Sequence, residues 1–259
     1  MNSALLALLL FAAPEAAPAD LPACPSAEEK PDVKLLLKRT ERVLEGRSSV
    51  AVMRMAIKTP AWERAVKMKI WSRGRDFTLV RVVEGGPRET GMMTLKREKQ
   101  LWNYLPQAGR VMKLPSGMMG DSWMGSDFTN DDLVRGSSLV DDFDARFEKS
   151  VDHEGSPAWS ITLTPHASAS VVWGKIEMRI DRKSCMPVEQ RFFDEDQQLA
   201  RRMTYGDLQT IGWRTYPMKL TVTPADQGRQ TVITYEHLEL DVDVPDDTFS
   251  LRRLQQGKE

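Results

Sequence analysis

Ser122 is the first residue whose type and setting could do chemistry, because it follows a glycine and an aspartate in a glycine-punctuated stretch. A serine nucleophile needs a base within hydrogen-bonding reach, commonly a histidine in a downstream Asp-x-x-His spacing. No such spacing occurs here, and the three histidines share no motif: His153, His166 and His237. We therefore expect no catalytic residue in this chain.

The carboxylates of Asp127, Asp131 and Asp132, together with Thr129, could in principle bind a cation. The run from Thr129 to Leu133 is explained more simply as a capped helical turn. The chain contains no HExxH motif, no paired CxxC, no EF-hand loop and no glycine-rich phosphate loop. We expect neither a metal nor another cofactor.

A different kind of chemistry is indicated by the large apolar residues between Pro115 and Phe128, which follow no regular alternation. They are Met118, Met119, Trp123, Met124 and Phe128, separated by glycines. Methionine is unbranched and polarizable, so a loop of this composition suits disordered acyl chains of variable shape. The alternative is a loop whose side chains only cover the hydrophobic core.

The elements that would position this segment are one helix and many strands. Apolar residues at helical spacing predict a helix from about 33 to 45, with Asp32 as N-cap and Gly46 after its C-terminus. From Ser48 onward the pattern alternates with period two, which predicts mainly antiparallel sheet. Candidate strands lie near 50–57, 66–71, 77–83, 91–97, 100–105, 109–114, 143–153, 158–165, 173–181, 187–195, 198–209, 216–224 and 230–240.

The pattern alone leaves a sandwich, a closed barrel and one strongly curved sheet open. The strands are apolar on one face and charged on the other, so a sheet that does not close must keep an apolar hollow. We predict that a lipid-binding cavity is lined by Met53, Met55, Ile57, Met68, Ile70, Leu79, Trp102 and Tyr104. We predict a lid or rim made of Met118, Met119, Trp123, Met124 and Phe128. For the strand residues, ordinary core packing is the alternative.

The N-terminal region predicts export. Residues 1–19 combine a short apolar run with a small-residue site at Ala17-Pro18-Ala19, as in a cleaved signal peptide. Leu21-Pro22-Ala23-Cys24 is similar to a lipobox, but Glu15 and Asp20 interrupt the apolar character that a lipid anchor requires. We expect a linker over 20–31, one domain over 32–255 and a tail over 256–259.

The charge and the cysteines restrict the partners. Cleavage would remove Glu15 from the 37 acidic residues and leave 36, equal to the 36 basic ones. A formally neutral chain argues against a function in nucleic-acid binding.

Cys24 and Cys185 are the only cysteines, and in an oxidising compartment they could form a disulfide or remain two distant thiols. We expect the protein to act as a monomer.

The segment from Leu101 to Leu133 also carries a family resemblance. Leu101-Trp102-Asn103-Tyr104-Leu105-Pro106 and, above all, the run from Trp123 to Leu133 resemble the signature of the LolA-like outer-membrane lipoprotein-sorting family. Further agreement is found in the Val171–Lys175 block, at Asp181 and Pro187, and at Pro245 with Phe249-Ser250-Leu251. The resemblance extends over nearly the whole mature chain.

This resemblance implies an incomplete, highly curved antiparallel β-barrel, with helices on the concave side and an apolar cavity between. It also implies a periplasmic carrier of lipoprotein or lipid acyl chains, supplied by an inner-membrane ABC-type or other exporter complex and unloaded at an outer-membrane acceptor. Two alternatives remain: an exported GDS-type esterase using Ser122, and a static envelope protein that docks to a membrane transporter.

Overall fold

A computed structural model of the protein describes residues 17–26, 30–134, 139–169, 171–225 and 228–256. Most of the predicted signal peptide and the end of the predicted tail lie outside these residues. The predicted N-terminal helix is confirmed as α1, Val33–Glu45. The Asp32 carboxylate accepts a hydrogen bond from the Leu35 backbone N–H at 3.1 Å, and Gly46 ends the helix with φ at 63°.

Thirteen strands in the described chain form one sheet, and they are antiparallel, as the alternating pattern predicts. They are β1 (Ser48–Lys58), β2 (Glu63–Arg73), β3 (Phe77–Glu84), β4 (Met93–Arg97), β5 (Gln100–Leu105), β6 (Arg110–Lys113), β7 (Phe143–His153), β8 (Ser156–Pro165), β9 (Lys175–Asp181), β10 (Pro187–Phe193), β11 (Leu199–Ile211), β12 (Arg214–Pro224) and β13 (Gln230–Leu240). The sheet is not closed into a barrel, which matches the open architecture that the family resemblance implies.

The strand order is β6-β5-β4-β3-β2-β1-β13-β12-β11-β10-β9-β8-β7. Every neighbouring pair is consecutive in sequence except β1 and β13, which join the two halves of the chain at the middle of the sheet. The chain therefore has to pass from one outer edge, β6, to the other, β7. Residues 114–142, here called the crossover segment, make this connection. Their described parts, 114–134 and 139–142, contain the short helices Ser116–Met118, Trp123–Gly125 and α2 (Asn130–Val134).

Helix α1 packs against both β12 and β7, which stand five places apart in the sheet. Flat strands spaced about 4.8 Å apart could not both reach a helix about 10 Å wide, so the sheet curves around α1. The main hydrophobic cluster lies on this concave face and includes Leu36 and Leu37 of the helix. The helix supplies part of the apolar cover that the strands require.

A second, smaller cluster lies on the opposite face of β3, β4 and β5. It is covered by the C-terminal part of the chain, a 3-10 helix at Asp246–Phe249 followed by α3, Leu251–Gln256. Phe249 packs against Phe77 with ring centroids 5.6 Å apart. This half of the sheet is therefore apolar on both faces, which the alternation of single strands did not reveal.

Candidate functional site

The concave side of the sheet contains a cavity of about 400 Å³, within the range of roughly 300–1,000 Å³ that small-molecule sites occupy. It lies between α1, the crossover segment and strands β9, β10, β11 and β13. Its lining residues are mainly apolar: Leu44, Trp123, Phe128, Leu133, Leu139, Val171, Val172, Trp173, Ile176, Phe192, Met203 and Ile233, with Glu41, Glu45, Asp131, Asp132, Gln190, Arg201 and Tyr205.

One wall of the cavity is a self-bonded turn in the crossover segment. The Trp123 backbone N–H donates to the Phe128 carbonyl at 2.7 Å, and the Ser126 hydroxyl donates to the Trp123 carbonyl at 2.7 Å. The turn passes through positive φ at Met124 and Gly125, a region where glycine carries no steric cost. These bonds bring the rings of Trp123 and Phe128 to the cavity.

The turn is attached to the sheet through Asp127. Its carboxylate accepts a hydrogen bond from the Thr231 hydroxyl at 2.7 Å and pairs with the Arg229 guanidinium at 2.5 Å. Its backbone N–H donates to the same Thr231 hydroxyl oxygen at 2.9 Å. Asp127 is therefore a buried, fully engaged anchor between the crossover segment and the start of β13.

Arg201 of β11 makes the second attachment. Its two terminal nitrogens donate to the Asp132 carboxylate at 2.7 and 2.6 Å, a bidentate pair. The guanidinium lies 4.6 Å from the ring centroids of both Trp173 and Phe192 and gains cation–π stabilisation from each ring. With its charge neutralised and its faces covered, Arg201 contributes to a largely apolar wall.

Acidic residues of α1 stand at one end of the cavity. Arg75 pairs with Glu41 at 2.9 Å and with Glu45 at 2.6 Å, and the Leu139 N–H donates to Glu41 at 2.5 Å. Burial raises the pKa of Glu41, and the bonds from Arg75 and Leu139 only partly oppose that shift. Both glutamates also line a polar recess of about 280 Å³, together with Asp20, Pro22, Lys38, Arg42 and Arg75.

The structure distributes the predicted cavity residues between two places. Met53, Met55, Ile57, Met68 and Ile70 belong to the main cluster on the concave face, but they are not among the residues that line the cavity. They lie on β1 and β2, whereas the cavity opens toward β9–β13. Alternation indicates which side chains are buried, and it cannot separate dense core from cavity wall.

Leu79, Trp102 and Tyr104 require a correction, because they lie in the second cluster on the opposite face. On β3 the neighbours Val80 and Val82 point to the concave face, so Leu79 points away from it. The apolar character of these three residues is explained by the C-terminal helices that cover them. They do not share a site with the other predicted residues.

The predicted rim is also divided. Trp123 and Phe128 line the cavity, whereas Met118, Met119 and Met124 are not among its lining residues. Met118 is 44% exposed, and Met124 packs against the main cluster while its carbonyl accepts from Arg64. The residues that sequence reasoning missed are Arg201, Gln190 and Tyr205. A polar residue in phase with the apolar face of a strand, as at 201 and 205 around Met203, is the signal that could have found them.

Ser122 does not form a nucleophile–base pair with any of the three histidines. Its hydroxyl donates to the Ser126 carbonyl at 2.6 Å. His153 contacts Arg179, His166 pairs with Asp144, and His237 pairs with Glu239. The described residues also contain no cluster of three or more His, Cys, Asp or Glu side chains that could hold a metal ion. The serine thus serves the turn of the crossover segment.

Cys24 and Cys185 form a disulfide with their Cα atoms 5.9 Å apart. Cys185 follows β9, and its carbonyl accepts a hydrogen bond from Thr40 of α1 at 3.2 Å. The nearby Pro22 carbonyl accepts from Arg39 at 2.7 Å. A sulfur bonded to Cys185 cannot also carry a lipid, so this disulfide and acylation of Cys24 exclude each other. No helix in the described ranges is long and apolar enough to cross a membrane.

An open, curved antiparallel sheet with a helix and an apolar cavity on its concave side defines the LolA type of fold, and solved structures agree. A DUF1329 family protein from Desulfovibrio piger superposes with a TM-score of 0.78 at 19% identity, over 85% of this chain and 97% of that one. An outer membrane lipoprotein-sorting protein domain from Vibrio parahaemolyticus superposes with a TM-score of 0.75 at 19% identity, over 86% of this chain and 97% of that one.

A LolA superfamily protein from Nitrosomonas europaea gives a TM-score of 0.69 at 18% identity, over 84% of this chain and 97% of that one. At these identities the likeness establishes the fold. A family model described as "Uncharacterized protein" matches residues 74–256, and the chain belongs to that family. No curated protein matches the sequence.

Proposed function

We propose that this protein is a periplasmic, non-enzymatic carrier that binds acyl chains of lipoproteins or other lipids for sorting to the outer membrane. The observation that carries the proposal is the cavity of about 400 Å³ between α1, the crossover segment and the sheet, lined mainly by apolar side chains. The LolA-type fold supports the same assignment, and two solved relatives are described by lipoprotein sorting and by the LolA superfamily.

The energetics favour such a role for an apolar cavity. Burying one methylene group is worth about 0.8 kcal/mol, so ten methylenes recover about 8 kcal/mol of transfer free energy before the cost of ordering the chain. Without a shield, the same exposure would oppose passage of a lipid through water. A cavity that holds part of the chain lowers this barrier and still permits release.

The proposal includes a compartment and partners. The signal peptide predicted over residues 1–19 would export the chain, and the Cys24–Cys185 bond suits an oxidising periplasm. An inner-membrane ABC-type or other exporter complex would supply the cargo, and an outer-membrane acceptor would receive it. The monomer would then be the unit that travels between them.

The test measures binding of a fluorescent monoacylglycerol to the mature protein. Ile233 lines the cavity from β13, whereas Val232, the next residue, points to the opposite face between Ala56 and Thr221. Ile233→Trp should reduce binding at least tenfold by filling the cavity, and Val232→Trp should leave binding near wild type. Circular dichroism and thermal unfolding would show whether both variants fold.

The proposal fails if the wild-type protein takes up no acyl probe and native purification yields no lipid or lipoprotein in organic extracts. Equal loss of binding in folded Ile233→Trp and Val232→Trp proteins would place the site elsewhere. Lipid in the extract that disappears only from the Ile233→Trp protein would support the cavity as the binding site.

A further inference from the structure

We infer that the cavity recognises a neutral hydrogen-bond acceptor, the ester carbonyl of an O-acyl lipid, through the side-chain amide of Gln190 held in place by Tyr205. The inference rests on the proposed function and specifies the substrate class of the same site. It concerns how the lipid is selected and oriented, whereas the apolar lining accounts only for burial of the hydrocarbon.

Gln190 is a buried polar side chain in the cavity wall, with 8% of its surface exposed. The Tyr205 hydroxyl, on the neighbouring strand β11, donates to Gln190 Oε1 at 2.8 Å. The second amide atom, Nε2, has no hydrogen-bond partner among the described residues. One end of the amide is therefore occupied, and the other end is free beside the cavity.

The free end is a directed donor. A side-chain amide has one acceptor end and one donor end, so a bond from Tyr205 to Oε1 turns Nε2 away from the tyrosine. Burial raises the pKa of Tyr205, which keeps its hydroxyl protonated and able to donate. Nε2 is not one of the fully buried, unpartnered side-chain atoms of the described residues, and it meets the open cavity. A ligand that fills the cavity without an acceptor would bury this donor unpaired, whereas a ligand that offers an acceptor avoids that cost.

The charges around the cavity favour a neutral acceptor over a carboxylate. Arg201 is the cation among the lining residues that the structure describes, and the Asp132 carboxylate already occupies its two terminal nitrogens. Glu41 and Glu45 line the same cavity. Arg75 is shared between these two carboxylates, so a free fatty acid anion would meet a net negative charge without an available cation. An ester carbonyl accepts a hydrogen bond and carries no charge.

The experiment compares two fluorescent glycerolipid probes of equal chain length, one an acyl ester and the other its alkyl ether. The ether lacks the carbonyl oxygen and has similar hydrocarbon content. We expect wild-type protein to bind the ester on the order of tenfold more tightly, the value of one satisfied hydrogen bond. Gln190→Leu should bring the ratio of ester affinity to ether affinity close to one while keeping the affinity for the ether. Gln209→Leu, an exposed glutamine on β11, is the matched control and should keep the wild-type ratio.

Equal binding of ester and ether by wild-type protein, or a tenfold preference retained in folded Gln190→Leu protein, would overturn the inference and leave the carrier function intact. Binding of neither probe to wild-type protein would instead reject the carrier function. Tyr205→Phe frees the Gln190 amide to rotate, so the ratio of ester affinity to ether affinity of this variant should fall below the wild-type ratio. An unchanged ratio would refute the positioning role of Tyr205.

Competition identifies where the ester comes from. A diacylglyceryl-cysteine lipopeptide and a short-chain diacyl glycerophospholipid would each be tested against the fluorescent ester. Displacement by the lipopeptide indicates a lipoprotein source, and displacement by the phospholipid indicates a membrane lipid. In either case the dialkyl ether form of the competitor should displace the fluorescent ester about tenfold less tightly than the ester form does. Equal displacement by the ester and ether forms would contradict the role of Gln190.

Discussion

Asp132 and Arg201 connect the crossover segment to β11 in surroundings that are largely removed from water. The exposed fractions of their side chains are 20% and 7%. The Arg201 guanidinium also fills the space between Trp173 and Phe192. The pair therefore holds four parts of the cavity wall together: the crossover segment, β11, β10 and the residues just before β9. Its energy depends on both charges being present.

Asp132→Asn should lower the free energy of unfolding by about 3 kcal/mol, because it leaves the buried Arg201 charge without its partner. The asparagine oxygen can still accept from the Thr129 N–H, now 2.8 Å from the carboxylate, so the helical turn itself is preserved. Urea unfolding of the two proteins at neutral pH measures the difference.

Two further variants separate this cause from others. Adding Arg201→Met to Asp132→Asn removes the unpaired charge and keeps apolar volume between the two rings, so it should recover part of the loss. Glu148→Gln breaks the exposed Arg146–Glu148 pair and should cost under about 1 kcal/mol. If Asp132→Asn and Glu148→Gln lowered the free energy of unfolding by the same small amount, the Asp132–Arg201 pair would not anchor the crossover segment to β11.

At this scale the sequence predicted Trp123 and Phe128 because large apolar residues in a glycine-punctuated loop are conspicuous. The sequence could not predict Gln190 as a cavity residue. The role of Gln190 depends on its hydrogen bond with Tyr205, and the two residues become neighbours only when β10 pairs with β11. Leu79 was assigned to the concave face from its own alternation, without knowledge of the second apolar cover.

Gly174 shows how one element fixes the position of another. It lies just before β9, and its backbone N–H donates to the Phe193 carbonyl at 2.9 Å. A Cβ atom at this position would lie only 2.3 Å from the Asp194 carbonyl oxygen. The chain can approach the end of β10 this closely only without a side chain, and the approach places Trp173 and Val172 at the cavity.

Gly174→Ala should therefore destabilise the protein by about 3 kcal/mol, since backbone atoms would have to move apart. The displacement should also disturb Trp173, so binding of the acyl probe should weaken. Gly206→Ala is the matched control on β11, where an added Cβ meets nothing within 4 Å. Thermal unfolding of both variants measures the difference. Equal shifts of the unfolding midpoint in Gly174→Ala and Gly206→Ala would contradict the role of close backbone approach at Gly174.

Among elements, the predictions of about a dozen antiparallel strands and of α1 were confirmed, because period-two and helical apolar patterns are properties of contiguous residues. The pairing of β1 with β13 and the passage of the crossover segment between opposite edges were not predictable in this way. They depend on contacts between residues far apart in sequence. A pattern of single strands also could not distinguish a sandwich, a closed barrel and an open sheet.

On the scale of the whole molecule, the curved sheet, α1 and the N-terminal segment are joined by the Cys24–Cys185 bond, which spans 161 residues of sequence. Closing so long a loop restricts the unfolded chain, and chain entropy predicts a stabilisation of about 5 kcal/mol. Reduction should therefore lower the midpoint of urea unfolding substantially. The Cys24→Ala/Cys185→Ala protein should start from that lower midpoint and show no response to reductant.

The same experiment separates the N-terminal segment from the cavity. Asp20 and Pro22 line the polar recess, whereas the lining of the apolar cavity begins at Glu41 among the residues that the structure describes. Under mild conditions where the reduced protein stays folded, it should still bind the fluorescent monoacylglycerol with nearly unchanged affinity. Protease sensitivity should then increase in the released N-terminal segment, because its bonds to Arg39 and Arg42 are half-buried or exposed. Loss of acyl binding on reduction, with the sheet still folded, would show that the disulfide shapes the cavity itself.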